Sequence, residues 1–159
     1  MPVRTIQDWL SAYGESHQNA TNKLIHWVCV PAIMFTIFGL LMSIPADFLP
    51  FQPYLNFGTI MLIVALLFYL RLSFPMFVGF ILIGGLMWWG NFAILQNGGI
   101  LGLSLFQFSL LMFALAWIGQ FIGHKIEGKK PSFFDDVQFL LIGPAWLMSF
   151  VYTKMGIKY

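Results

Sequence analysis

The chain of 159 residues contains three histidines, His17, His26 and His124, and they are the residues best suited to chemistry. Imidazole is a common ligand for iron, copper, zinc and nickel. His124 lies in WIGQFIGHKIEGKKPSFFDD, Trp117 to Asp136, where apolar helix gives way to a charged loop. Gln120, His124 and Glu127 stand at i, i+4 and i+7 there, a spacing that puts all three side chains on one face of a helix. His17 and His26 lie in YGESHQNATNKLIH, residues 13 to 26, with Glu15, Asn19 and Asn22 around them. If Thr21 or Asn22 caps the following helix, His26 falls on its first or second turn, with Asn22 one turn before it on the same side. Nine residues separate His17 from His26, which would set them on opposite sides of one continuous helix. The polar run HQNATN supplies the bend that lets both face one place. Two readings stay open: three amphipathic rings, each comfortable at a membrane interface, or one metal site shared by all three. No HxxxH or HExxH pair is present to decide between them.

The polar neighbours divide in the same way. Gln120 and Glu127 read equally as direct ligands and as helix-end groups that orient the rings, and charge beside a membrane span points by default to function. Lys125, Lys129 and Lys130 suit lipid headgroups, or an acidic lipid held more specifically. Asp135 and Asp136 suit the amino terminus of the last apolar helix. Cys29 is the single cysteine, sits in an apolar run and reads as core packing.

These side chains need a scaffold. With 59% hydrophobic and 9% charged residues, the composition is that of an integral membrane protein. The net charge of +2 is too small and too scattered for a nucleic-acid surface. No cleavable signal peptide is expected, because the first twenty residues hold no apolar core. Residues 3 to 13 place Val3, Ile6, Trp9, Leu10 and Tyr13 at helical spacing, predicting a short amphipathic helix along the membrane surface. Four apolar spans follow: Leu24 to Ile44 with Pro31 inside it, Tyr54 to Leu70, Phe74 to Leu95, and Ile100 to Gly123. In the fourth, Gly119 and Gly123 form a small-xxx-small pair that permits close helix approach. The run from Val137 to Tyr152, interrupted by Gly143-Pro144, either spans or re-enters. The expected fold is all-α: a single integral membrane domain over residues 1–159, a polytopic bundle of four transmembrane helices with an amino-terminal amphipathic helix and a short or re-entrant carboxy-terminal apolar helix.

Charge orients this bundle. With four spans, Arg4, Lys23, Arg71, Lys125, Lys129 and Lys130 fall on one side, and the two opposite loops carry no Lys or Arg. The positive-inside rule makes that side cytoplasmic. A re-entrant last segment would bring Lys154 and Lys158 to it too. All three histidines are then expected at one depth, the cytoplasmic boundary.

The stretches YGESHQNATNKLIHWVCVPAI (Tyr13 to Ile33) and WIGQFIGHKIEGKKPSFFDDVQFLLIGP (Trp117 to Pro144) together resemble a family of small membrane proteins long labelled a domain of unknown function, which includes the yeast 2-hydroxy fatty acid dioxygenase. The resemblance covers both ends and the overall length, and the middle spans match only in being apolar. It implies a non-haem Fe(II) enzyme of fatty acid α-oxidation that uses O₂ to shorten 2-hydroxy fatty acids by one carbon. Carried over, the family's histidines fall on His17, His26 and His124, and its adjoining polar positions on Asn19, Asn22 and Gln120. Glu127 departs from the eukaryotic pattern, in which the acidic residue sits one position further on. The expected roles are His17, His26 and His124 as metal ligands; Asn19, Asn22, Gln120 and Glu127 as orienting groups; and Lys23, Lys125 and Lys130 as attractors of the substrate carboxylate. Three histidines are too few for the histidine-box di-iron hydroxylases. The competing classes are a non-enzymatic lipid-binding, scaffold or transporter component, and a zinc-dependent lipid hydrolase. The membrane is the bacterial inner membrane or, in a eukaryote, the endoplasmic reticulum.

Overall fold

The computed structural model describes residues 4–130 and 138–159, and within them forms six helices and no strand. Val3, Asp135, Asp136 and Val137, for which helical roles are expected, lie outside the described residues. The helices are α1 (Ile6–Gly14), α2 (Ala20–Met42), α3 (Phe57–Leu72), α4 (Phe74–Gln96), α5 (Leu105–Glu127) and α6 (Phe139–Met155).

Three of them, α2, α4 and α5, are long and apolar enough to cross a membrane. The fourth expected span is not confirmed, because α3 has only 16 residues, a rise of about 24 Å against a hydrocarbon core of about 30 Å. Its apolar run opens on Tyr54, but Asn56 accepts from the Thr59 amide and starts the helix only at Phe57. The last long helix also starts later than its apolar run. Ser104 and Gln107 form a capping box, and residues 97–104 are spent on a turn in which Ile100 and Leu103 pair. At its far end α5 runs on to Glu127, where Gly128 adopts a left-handed conformation at φ 75° and stops it.

The run around Gly143-Pro144 is one continuous 17-residue helix, α6, so it does not turn back on itself as a hairpin. Proline removes an amide donor and opens the carbonyls one turn before it. One of these, the Leu141 carbonyl, accepts from the Tyr69 hydroxyl at 2.7 Å. The apolar stripe of α1 faces protein: Ile6, Trp9, Leu10 and Tyr13 are buried, and Trp9 meets Phe139 of α6 edge to face at 5.4 Å.

α2 runs antiparallel to α3 and to α5, as the contacts show. Met42 at the end of α2 packs on Gly58 at the start of α3, and Gly123 near the end of α5 packs on Asn22 near the start of α2. α2 and α5 form the most extensive pair. Gly119 and Gly123 make that possible, since a Cβ at Gly119 would stand 2.7 Å from Cys29 Sγ and one at Gly123 would collide with Asn22 Oδ1. The outward faces of α3, α4 and α5 expose Ile63, Leu67, Leu82, Leu86, Leu111 and Leu115, a continuous apolar surface suited to lipid.

Candidate metal centre

His17 and His26 are each set by a backbone carbonyl four residues earlier. α1 ends at Gly14, and Asn19 caps α2, two to three residues before the expected cap. Residues 15–19 supply the bend between His17 and His26. Asn19 Oδ1 accepts from the Thr21 and Asn22 amides at 2.9 and 3.3 Å. His26 then sits on the second turn of α2, and its Nδ1 bonds the Asn22 carbonyl at 2.9 Å. His17 Nδ1 bonds the Tyr13 carbonyl at 2.7 Å. A carbonyl only accepts, so both Nδ1 atoms carry the proton and both Nε2 atoms are bare lone pairs in the neutral rings.

Those two Nε2 atoms lie 3.0 Å apart. With no proton between them they cannot hydrogen-bond, and two lone pairs at that distance repel unless a cation stands between. His124 completes the group: the three residues each offer a ligand atom within 4.8 Å of the others. The rings stand nearly perpendicular, at 80° for His17 and His26, 75° for His17 and His124, and 88° for His26 and His124. All three are buried, and His124 Nδ1 has no hydrogen-bond partner among the described residues. At metal–nitrogen distances of about 2.1 Å, neighbouring ligands at right angles sit roughly 3.0 Å apart, so the His17–His26 spacing fits two imidazoles on one metal ion. Burial lowers the His17 proton affinity from 6.5 to about 3, and the neighbouring histidines add to this, so a shared proton is the weaker alternative.

The orienting groups sort themselves. Gln120 is buried on α5 and reaches the His26 ring. Glu127 spends both carboxylate oxygens on the start of α2 and the residues just before it. Its Oε1 accepts from the Gln18 amide at 2.8 Å, and its Oε2 accepts from the Asn19 amide and from Asn22 Nδ2, both at 2.9 Å. It thereby ties the end of α5 to the start of α2, one residue removed from the carbonyl that holds His26. Of the lysines, Lys23 is half-buried, Lys125 and Lys130 are exposed, and Lys129 donates to the Glu15 carbonyl at 2.7 Å.

Two groups escaped the sequence reading. Tyr13 stacks on His17, with centroids 4.1 Å apart and planes 11° from parallel, and Trp146 of α6 lies 5.2 Å from the same ring. Gly143 leaves the room, since a Cβ there would meet the Tyr13 hydroxyl at 2.9 Å. Tyr13 stands four residues before His17, a helical spacing that the sequence does display. Trp146 depends on the docking of α6 and left no local signal. Burial also raises the Tyr13 hydroxyl above its usual range.

A cavity of ≈ 340 Å³ opens beside the centre, with Tyr13, Gln120 and His124 at its polar end and mostly apolar residues of α2, α3 and the first turns of α6 along the rest. A second, of ≈ 270 Å³ between α2, α4 and α6, is walled by apolar side chains and touches none of the three histidines.

A buried imidazole triad at the head of an apolar cavity can bind a metal and hold an amphipathic molecule beside it. The family model described as 2-hydroxy-palmitic acid dioxygenase Mpo1-like matches residues 3–155. The 2-hydroxy-palmitic acid dioxygenase MPO1 of Saccharomyces cerevisiae is 29% identical over 153 residues, which cover 95% of this chain and 82% of the yeast protein. No solved structure matches.

Proposed function

Because the chain belongs to the Mpo1-like 2-hydroxy-palmitic acid dioxygenase family, we propose that it is a non-haem Fe(II) dioxygenase that shortens 2-hydroxy fatty acids by one carbon, acting as a single membrane domain. His17, His26 and His124 are the metal ligands in this reading. The observation that carries it is the pair of facing, proton-free Nε2 atoms 3.0 Å apart beside a third buried imidazole. When bound, Fe(II) supplies the means to activate O₂ and to hold the α-hydroxy acid. A balanced overall stoichiometry takes one acid and one O₂ to the acid one carbon shorter, CO₂ and water.

The chain's own residues do the rest. The Tyr13 and Asn22 carbonyls fix the tautomers of His17 and His26, so that both lone pairs converge. Gln120 and Asn22 orient the rings, and Asn19 and Glu127 hold the α2 terminus on which Asn22 and His26 stand. Tyr13 and Trp146 cover His17 with aromatic surface and keep water from the ring. Lys23, Lys125 and Lys130, none of which lines either cavity, attract the substrate carboxylate from outside. In this reading the site faces the cytoplasm, in the inner membrane of a bacterium or the endoplasmic reticulum of a eukaryote, and the charge asymmetry of the loops supports that side.

Anaerobic purification followed by metal analysis and a 2-hydroxypalmitate assay tests the reading. We expect one iron per chain after reconstitution, and loss of both iron and turnover in His26→Ala and His124→Ala. Stoichiometric zinc with no iron uptake would replace the dioxygenase with a hydrolase. Unchanged turnover in either variant would remove that histidine from the site.

A further inference from the structure

The ≈ 340 Å³ cavity has one polar end and a long apolar body. On α2 its wall is made by Val30, Ile33, Met34, Ile37 and Phe38. These follow His26 at i+4, i+7, i+8, i+11 and i+12, so one face of α2 leads from the centre into the cavity. The facing wall is Met61, Ala65 and Tyr69, spaced four apart on α3. Beyond Phe38 the two helices close, because Met42 packs directly on Gly58. Phe38 is itself buried.

The length follows from helix geometry. From His26 to Phe38 is 12 residues, a rise of about 18 Å. An extended chain advances about 1.2 Å per bond, one third of the extended rise per residue, so the slot takes roughly 15 carbon–carbon bonds. The Met42–Gly58 contact sets the register of α3, which places Met61 near the level of Phe38. Ala65 falls near the level of residue 35, about 4.5 Å or roughly four bonds nearer the centre. Its small side chain leaves the slot open at that level.

Resting on the dioxygenase reading, we propose that this cavity is the acyl slot and that three residues gauge chain length: Phe38 and Met61 close it, and Ala65 keeps it open. A long-chain acid lies with its carboxyl end at the histidines and its methyl end against Phe38.

The test uses the full-length protein in detergent with a series of 2-hydroxy acids from ten to twenty carbons. Affinity for the metal-free protein is read by displacement of a fluorescent fatty acid, and turnover by the iron-loaded protein is read separately. Ala65→Phe is expected to shift the preferred length down by roughly four carbons and to weaken binding of the longest acids at least tenfold. Phe38→Ala is expected to shift it up. Variants are compared only where helical circular dichroism matches the parent, and Met61→Ala replaces Phe38→Ala if that variant does not fold. Unchanged length profiles in folded variants of both kinds overturn the gauge. So does failure of every acid to displace the probe, the result expected if a membrane lipid occupies the slot permanently. Length-dependent binding that shifts as described, but with no turnover, keeps the gauge and rejects the dioxygenase.

Discussion

Glu127 gives the sharpest test of how the centre is held, because its position on α5 suits a ligand and its contacts suit a clamp. In Glu127→Gln the side chain keeps its shape but exchanges one acceptor oxygen for a donor amide. Three donors converge on the carboxylate: the Gln18 amide on Oε1, and the Asn19 amide and Asn22 Nδ2 on Oε2. At least one of them then faces an NH₂ group. Hydrogen bonds to a charged group contribute about 1.5–3 kcal/mol each, and an orphaned donor costs about 1–3 kcal/mol. Because Glu127 is half-exposed, water recovers part of this, and the expected loss is about 1–2 kcal/mol for Gln and about 2–3 for Ala. The effect on the centre is larger than those figures suggest. Asn22 links Glu127 to the carbonyl that orients His26, and loss of such outer contacts typically weakens metal binding about 10–100-fold. Competition of Fe(II) or Co(II) between protein and a chelator measures this directly. In an Asn22→Ala background the effect of Glu127→Gln on metal affinity should largely vanish, since the path runs through Asn22. If Glu127→Ala abolishes metal binding altogether while thermal stability is unchanged, Glu127 is a ligand and the clamp is wrong.

Three further outcomes follow from the geometry. Gly123→Ala puts a methyl onto Asn22 Oδ1 and should destabilise the α2–α5 pair by about 1–3 kcal/mol, with metal affinity falling alongside; thermal unfolding in detergent reads the first and chelator competition the second. His17 is neutral in the fold down to about pH 3 because burial disfavours its charged form, whereas unfolded it protonates near 6.5. Between those values the unfolded chain binds more protons, so stability of the metal-free protein should fall on acidification by up to roughly 1.4 kcal/mol per pH unit; His17→Gln should flatten that slope, and an unaltered slope would place the titration elsewhere. Replacing Lys23, Lys125 and Lys130 together by Ala should raise KM several-fold, reduce its salt dependence and leave kcat unchanged, as long-range attraction requires; a fall in kcat would mean that a lysine touches the reacting end.

What the sequence made legible is local or set by symmetry of charge. Gln120, His124 and Glu127 share a face because helical spacing imposes it, and α5 runs unbroken to Glu127. The Lys and Arg asymmetry brought both ends of the chain to one depth, and the bend between His17 and His26 followed from a polar run too poor in apolar residues to continue α1. The illegible part is what each polar atom touches. Glu127 looks like a ligand from α5 alone; it becomes a clamp only because residues 18 and 19 pass beside it with unpaired amides, a contact 108–109 residues away in sequence. The fourth span goes unconfirmed for a related reason. Hydropathy begins an apolar run at Tyr54, but a helix begins where its first amides find an acceptor, and here that acceptor is Asn56.

The same distinction explains why a helix that donates no ligand is part of the centre. Only His26 and His124 ride on the closely packed α2–α5 pair. His17 rides on the short segment after α1, and a nine-residue helix has little stability of its own. Its place is fixed from outside: Trp9 and Tyr13 dock on Phe139 and Trp146 of α6, and Tyr13 then presents both its carbonyl and its ring face to His17. α6 in turn is anchored to the bundle by hydrogen bonds at both its ends, from the Tyr69 hydroxyl to the Leu141 carbonyl and from the Tyr152 hydroxyl to the Pro75 carbonyl. His17 is thus positioned through a relay from α3 and α4 to α6 to α1. His26 and His124 need only α2 and α5. Weakening α6, by Trp146→Ala for example, should therefore leave a two-histidine site with reduced affinity, whereas separating α2 from α5 at Gly123 should remove the site entirely.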